Sequence, residues 1–209
     1  MSIIVGVAGG SGAGKSTLLA HLVGQLPESR VIDLDSYYLD RGHLPANARK
    51  HLNYDEPAAF DLPLLMEQLR RLAAGGSIEK PKYSFANHRR IGACAISPAP
   101  VIVVEGLFTL WWPEIRALLD VALFVDAPAD VRLLRRLTRD VAERGRTVES
   151  VAEQYLLTVR PMHERYVEPS KGYADHVIDN SGAVDNAVDQ ALRRVLSLLK
   201  VHLSKSEVD

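Results

Sequence analysis

The chain of 209 residues holds a single cysteine, Cys94, which excludes an internal disulfide and fits a reducing compartment. No apolar run approaches the roughly 20 residues of a membrane helix. The opening "MSIIVGVAGG" lacks a basic region and stops at a glycine loop, so no signal peptide is expected. Net charge is nearly absent too. The 25 Lys and Arg stand against 26 Asp and Glu, leaving −1; nucleic acid and membranes are not expected as partners, and any anion site must be local. The seven histidines have neither H-x-x-x-H spacing nor cysteine partners, which argues against zinc. These absences and the length lead to the expectation of a cytoplasmic protein with one α/β domain over 1–209.

What is present begins at Gly9. The stretch "GGSGAGKST", Gly9 to Thr17, fits G-x-x-x-x-G-K-[ST], a phosphate-binding loop. Its glycines let successive N–H groups turn inward around an anion without a Cβ in the way. The apolar "SIIVGVA" before it and the helical spacing of Leu18, Leu19, Leu22, Val23 and Leu26 after it make strand, loop and helix in order, which aims a helix N-terminus at the phosphates. Further short apolar runs, "RVIDLD" (30–35), "PVIVVEG" (100–106), "DVALFVDAP" (120–128) and "HVIDN" (176–180), alternate with helical patterns, as in a mostly parallel sheet covered on both faces. Asp35 and Glu105 would then project from strand ends toward the loop, where ligands of such sheets sit.

Two further segments stand out. Residues 77–97, "SIEKPKYSFANHRRIGACAIS", read as a hairpin or flap. In "DVRLLRRLTRDVAERGRTVE", Arg132, Arg135, Arg136 and Arg139 share one helical face, and "ERGR" adds Arg144 and Arg146 beyond a glycine break. Beside a phosphate loop, such a segment suits a lid; alone it would read as a solvated basic face. His21 is expected on a helix surface and Trp111 and Trp112 in the core or an interface. His163 has no evident partner, and "HLSKSEVD" reads as a frayed tail.

Taken in order, "GGSGAGKST", "LDSYYLD", "NYDEPAAFD", "PKYSFANHRR", "VIVVEGLFTL" and the run from "FVDAPADVRLLRR" to "GYADHVI" resemble the uridine kinase (uridine/cytidine kinase) family of phosphate-loop kinases, over about Ile3 to Gly182. The resemblance implies a P-loop NTPase-type parallel sheet of about five strands flanked by helices, with a β-hairpin flap (about 77–97) and a helical, arginine-rich lid (about 128–160). It implies transfer of the γ-phosphate of ATP or GTP, with Mg²⁺, to the 5′-hydroxyl of uridine and cytidine, giving UMP and CMP, by an enzyme often tetrameric. Asp35 would be the general base, with Lys15 and Arg139 on the transferred phosphate. Gly9, Ser11, Gly12, Ala13, Gly14, Lys15, Ser16 and Thr17 would cradle the nucleotide, with Arg136 and Arg144. Ser16, Asp35 and Glu105 would serve the metal. Asp61 would grip the ribose hydroxyls, assisted by Arg146 and Gln154; Tyr83 and His88 would hydrogen-bond the base and Phe85 pack on it. Ser84 and Asn87 depart from the residues usual in the flap, which bears on base preference.

Alternatives remain. Pantothenate kinase and phosphoribulokinase are relatives with the same loop and similar lids. A nucleotide-dependent switch is a poorer fit, since D-x-x-G occurs only as "DNSG" (179–182) and N-K-x-D does not occur. The segment "DRGHLPANARKHLNYDEP" (40–57) suggests no mechanism of its own.

Overall fold

The computed structural model describes residues 2–26, 28–50 and 52–182, together with Arg193, Leu196 and Ser197; the tail at 202–209 lies outside the described residues. In chain order the elements are β1 (Ile3–Gly9), α1 (Lys15–Gln25), β2 (Ser29–Asp33), α2 (Ala46–Lys50), α3 (Leu62–Ala73), β3 (Ile78–Ser84), β4 (Arg89–Ile96), β5 (Val101–Glu105), α4 (Pro113–Arg116), β6 (Val121–Asp126), α5 (Ala129–Arg144), α6 (Val148–Gln154) and β7 (His176–Asp179). Between α6 and β7 the chain stays helical through two π-bulges, Tyr155–Val159 and His163–Val167. Among the described residues, no helix is long and apolar enough to cross a membrane.

Five strands form a parallel sheet in the order β2-β5-β1-β6-β7. The central strands are the near-continuous apolar runs, because both faces of a parallel sheet are covered; every residue of β1 is buried. Alternation along each strand divides the core in two. Ile4, Ala8, Ile102 and Val104 face a cluster with α3, Phe108 and Trp112, while Ile3, Val5, Val7, Val101 and Val103 face Leu18, Leu19 and Leu22 of α1. Trp112 is thus core, and Trp111 is partly buried against Tyr166, ring centroids 4.9 Å apart.

Register positions the site. Glu105 pairs with Val7 on one side and with Asp33 on the other, so β2 and β5 end level, β1 runs on to Gly9, and all three deliver their last residues to one edge of the sheet. The run over 30–35 is shorter as a strand than its apolar pattern suggests: β2 stops at Asp33, and Leu34–Tyr37 form a 3₁₀ turn. Asp33 caps that turn by accepting from the backbone N–H and hydroxyl of Ser36. Buried Leu34 and Tyr37 anchor it, and Tyr37 donates to Gln68 of α3 at 2.6 Å.

The segment 77–97 is a separate antiparallel pair, β3 and β4, with an irregularity between Lys82 and Tyr83. It is held to the core by polar ties and by packing: Lys80 pairs with Asp33, Arg90 with Asp61, Gln68 donates to the Glu79 carbonyl at 2.9 Å, and Ile78 is buried in the cluster with α3.

Candidate active site

The glycine loop leads into α1 through Gly14, whose φ of 98° is left-handed. A Cβ on Gly14 would lie 2.1 Å from Asn180 Nδ2, and one on Gly12 (φ 79°) 2.2 Å from the Arg132 carbonyl oxygen. Conformation and space both demand glycine at these two positions. Asn180, buried at the end of β7, donates to the Ala13 carbonyl at 2.7 Å and locks the loop to the sheet edge. Lys15 Nζ donates to the Gly9 and Gly10 carbonyls at 2.9 and 3.2 Å. Burial depresses the Lys15 pKa, against the opposing pull of Glu105 and Asp35. The first turn of α1 carries no acid, so its partial positive charge is left for a ligand.

Asp35 and Glu105 face the loop across a cleft of about 1250 Å³. Asp35 is open to the cleft on the 3₁₀ turn, yet the protein walled around it desolvates the carboxylate and raises its pKa, with Lys15 opposing. Desolvation also raises Glu105, Lys15 again opposing and Asp35 adding to the rise. Ser16 is exposed at the same place. Two carboxylates and a hydroxyl are hard oxygen donors that suit Mg²⁺. Among the described residues no three His, Cys, Asp or Glu side chains cluster to hold a metal by themselves, so phosphate oxygens and water would complete its shell.

The arginines close one wall, and they are not equivalent. Arg132 is buried, donating to the Ala127 carbonyl beneath the loop, and Arg135 donates to the Asn180 carbonyl. Arg136 reaches Ser11 Oγ and Gln154 Oε1, both at 2.9 Å. α5 ends at Gly145 in left-handed conformation, φ 62°. Around the turn four guanidiniums meet one carboxylate, Asp140, which is fully buried: Arg139 at 2.8 Å, Arg144 at 3.4 Å, and Arg136 and Arg146 at 3.6 Å. One anion gathers four cations and leaves a positive wall.

The other end of the cleft is aromatic. Tyr38 packs between Phe60 and Tyr83, with centroids at 4.2 and 5.2 Å. Phe85 meets both Tyr38 and Tyr83 edge-on, and Tyr54 stacks on His88 at 4.2 Å. The hydroxyls of Tyr54 and Tyr83 and Nδ1 of His88 are buried without hydrogen-bond partners. Burial pushes the Tyr83 hydroxyl up to about 12, and burial and then the Arg49 charge lower His88.

The cleft therefore brings together Ser11, Gly12, Gly14, Lys15, Ser16, Thr17, Asp35, Glu105, Tyr83, Phe85, His88, Arg136, Arg139, Arg144, Arg146 and Gln154. Gly9 and buried Ala13 frame the loop from behind. Asp61 is not brought there. It is the N-cap of α3, accepting from the Leu64 N–H at 3.1 Å, and pairs with Arg90 at 2.9 Å. The carboxylate in the cleft is Asp55, which accepts from Gln154 Nε2 at 3.1 Å and Thr158 Oγ1 at 2.7 Å. A local signal favours this division: Asp61-Leu62-Pro63 is a helix start, with an acidic N-cap and proline in the first turn. Tyr38, Arg49 and Tyr54 also line the cleft; none of them was assigned a role from the sequence, although Tyr38 and Tyr54 lie within the blocks "LDSYYLD" and "NYDEPAAFD". His163 does have a partner, Glu168 at 3.2 Å, and its ring lies against Gly10 of the loop.

Residues 4–187 match the family described as phosphoribulokinase / uridine kinase. A uridine kinase of Deinococcus deserti is 46% identical over 195 residues, covering 92% of this chain and 94% of that protein. One of Clostridium botulinum (strain 657) is 44% identical over 201 residues, covering 95% and 98%. The phosphoribulokinase structure from Rhodobacter spheroides superposes with a TM-score of 0.65 at 17% identity, covering 85% of this chain and 70% of that one, which is a likeness of fold.

Proposed function

Since the chain belongs to the phosphoribulokinase / uridine kinase family, phosphotransferases with an alcohol acceptor, we propose that it transfers the γ-phosphate of ATP or GTP to the 5′-hydroxyl of uridine and cytidine, giving UMP and CMP. The observation that carries this reading is the polarity of the cleft. A phosphate loop and arginine wall stand at one end, an aromatic end with unpaired buried hydroxyl and imidazole groups at the other, and Asp35 acts electrostatically on both Lys15 and Tyr38.

Each residue then has a task. Asp35 accepts the proton of the 5′-hydroxyl as that oxygen attacks phosphorus; its raised pKa makes it a better base than an ordinary carboxylate. Lys15, Arg136, Arg139 and Arg144 hold the phosphates and stabilise charge on the migrating group. Ser16 and Glu105, with Asp35 nearby, would hold Mg²⁺, which supplies neutralising charge to the β- and γ-phosphates when bound. Asp55, in the place first given to Asp61, accepts hydrogen bonds from the ribose hydroxyls beside Gln154 and Arg146. Tyr83 and His88 each donate or accept, so either a carbonyl or an amino group on the pyrimidine satisfies them, and Phe85 packs on the ring.

Turnover measured in parallel with uridine, cytidine, pantothenate and ribulose 5-phosphate tests the reading. Uridine and cytidine are expected to be used and the other two not; activity on pantothenate or ribulose 5-phosphate alone overturns it.

A further inference from the structure

The described part of the segment without an assigned mechanism, residues 40–50 and 52–57, is wrapped over the hairpin tip. Four contacts tie the two together. Asp40 accepts from the Arg90 N–H at 3.3 Å, the Arg41 N–H donates to the His88 carbonyl at 3.0 Å, the Arg49 guanidinium donates to the Asn87 carbonyl, and Tyr54 stacks on the His88 ring with an interplanar angle of 18°. They converge where the backbone is least comfortable. His88 has φ 48°, the sole left-handed conformation at a non-glycine position among the described residues, and such a conformation persists only when its surroundings over-determine it.

The same place concentrates unsatisfied polar atoms. Arg49 Nε and the Tyr54 hydroxyl come from the wrapping segment, the Tyr83 hydroxyl and His88 Nδ1 from the hairpin; all are buried without hydrogen-bond partners, and all four residues line the cleft. Buried polar atoms are normally paired, so four in one aromatic pocket match a ligand with several donors and acceptors on a flat ring. Arg49 belongs to both sets. One guanidinium nitrogen pins the turn while another, Nε, has no partner, a division of labour that a planar fork allows and a lysine does not.

We propose that Arg49 is a positioning and specificity residue of the acceptor-base subsite: it pins the hairpin tip through the Asn87 carbonyl and so fixes His88 and the aromatic pocket around the base. The assignment of the pocket to a base rests on the function proposed above; the pinning rests on the contacts alone.

Two variants and two readouts test it. Arg49→Met keeps the stem and removes every donor, and Arg49→Lys returns one donor and the charge. Amide hydrogen exchange over residues 85–90, measured without any substrate, is expected to quicken in Arg49→Met and to be partly restored in Arg49→Lys. In steady-state kinetics Arg49→Met is expected to raise the KM for uridine and cytidine roughly tenfold or more, the loss of one hydrogen bond from a charged group. The nucleotide KM and saturating kcat should stay within about twofold, the mark of uniform binding. Unchanged exchange in Arg49→Met overturns the pinning. An unchanged nucleoside KM, or kcat and both KM values worsening together, overturns the base-subsite role. If the wild type turns over no pyrimidine nucleoside, the functional reading fails by itself and the exchange result still decides the pinning.

Discussion

The two ends of the cleft are built on opposite principles. At the phosphate end the charged groups are largely occupied with internal partners: Lys15 with the Gly9 and Gly10 carbonyls, Arg136 with Ser11 and Gln154, four arginines with Asp140. At the base end the hydroxyls of Tyr54 and Tyr83, Nδ1 of His88 and Nε of Arg49 are buried and unpaired, whereas the atoms without a hydrogen bond in the arginine wall, Arg136 Nε and Asp140 Oδ2, still face each other at 3.6 Å as opposite charges. An anion arriving at the first end trades places with internal partners in a field that is already positive, and many phosphate compounds satisfy it. A ligand at the second end must match fixed donors and acceptors or leave them unpaired, which is how a site rejects near-analogues. In the proposed reading, affinity for phosphate and choice of acceptor therefore rest on different chemistry.

The largest effect is expected between the two ends. Asp35→Asn should lower kcat by ~10²–10⁴-fold, the worth of a general base, while nucleotide binding measured by calorimetry stays intact. Near-normal kcat would remove Asp35 from the division altogether.

Next comes the phosphate end. Asp140→Asn removes the carboxylate that gathers four arginines, and a lost buried hydrogen bond to a charged group costs about 1.5–3 kcal/mol. Denaturant unfolding should show a loss of that order and kcat should fall, because the wall is no longer held together. A variant as stable and as active as the wild type would mean that the arginines need no organiser.

At the base end the contrast is between two acids. Asp55→Ala should raise KM for uridine roughly tenfold and abolish the preference for ribonucleosides over 2′-deoxyribonucleosides, since a charged acceptor of ribose hydroxyls is gone. Asp61→Ala should instead lower unfolding stability by about 1 kcal/mol, the cost of a lost N-cap, and leave the ribose preference intact. The opposite pattern would restore Asp61 to the ribose.

The smallest effect is a displacement of pH dependence. kcat/KM reports the free enzyme, and burial raises Asp35 and Glu105 in that state. Activity needs Asp35 ionised, so it should fall with decreasing pH around an apparent pKa above the ordinary carboxylate range. The stability term has the opposite sign: a carboxyl whose pKa is raised on folding costs stability as pH rises through that value. An acid limb at the ordinary value would place the base elsewhere.

What was legible in the sequence was what local geometry encodes. Nine consecutive residues specify the phosphate loop because it is a main-chain structure, and its strand and helix are its immediate neighbours. The central strands were legible because a parallel sheet buries both faces and writes continuous apolar runs. The hairpin at 77–97 and the glycine break at Gly145 are likewise short-range. Of two acids six positions apart, the helix start at Asp61-Leu62-Pro63 is a local signal that Asp61 is occupied as a cap, but that Asp55 enters the cleft was decided by tertiary structure. Asp61 is taken by the start of α3 and by Arg90, whereas Asp55 meets Gln154 and Thr158, about a hundred residues away. Asp140 was not singled out along the basic helix, although Arg136 and Arg144 stand four residues to either side of it and Arg139 is adjacent; the turn at Gly145 brings in the fourth cation, Arg146. The base end draws on residues 38, 49, 54, 83, 85, 86 and 88, from segments with no shared periodicity, and a pocket assembled from side chains of separate segments leaves no pattern along the chain because its determinant is packing between them.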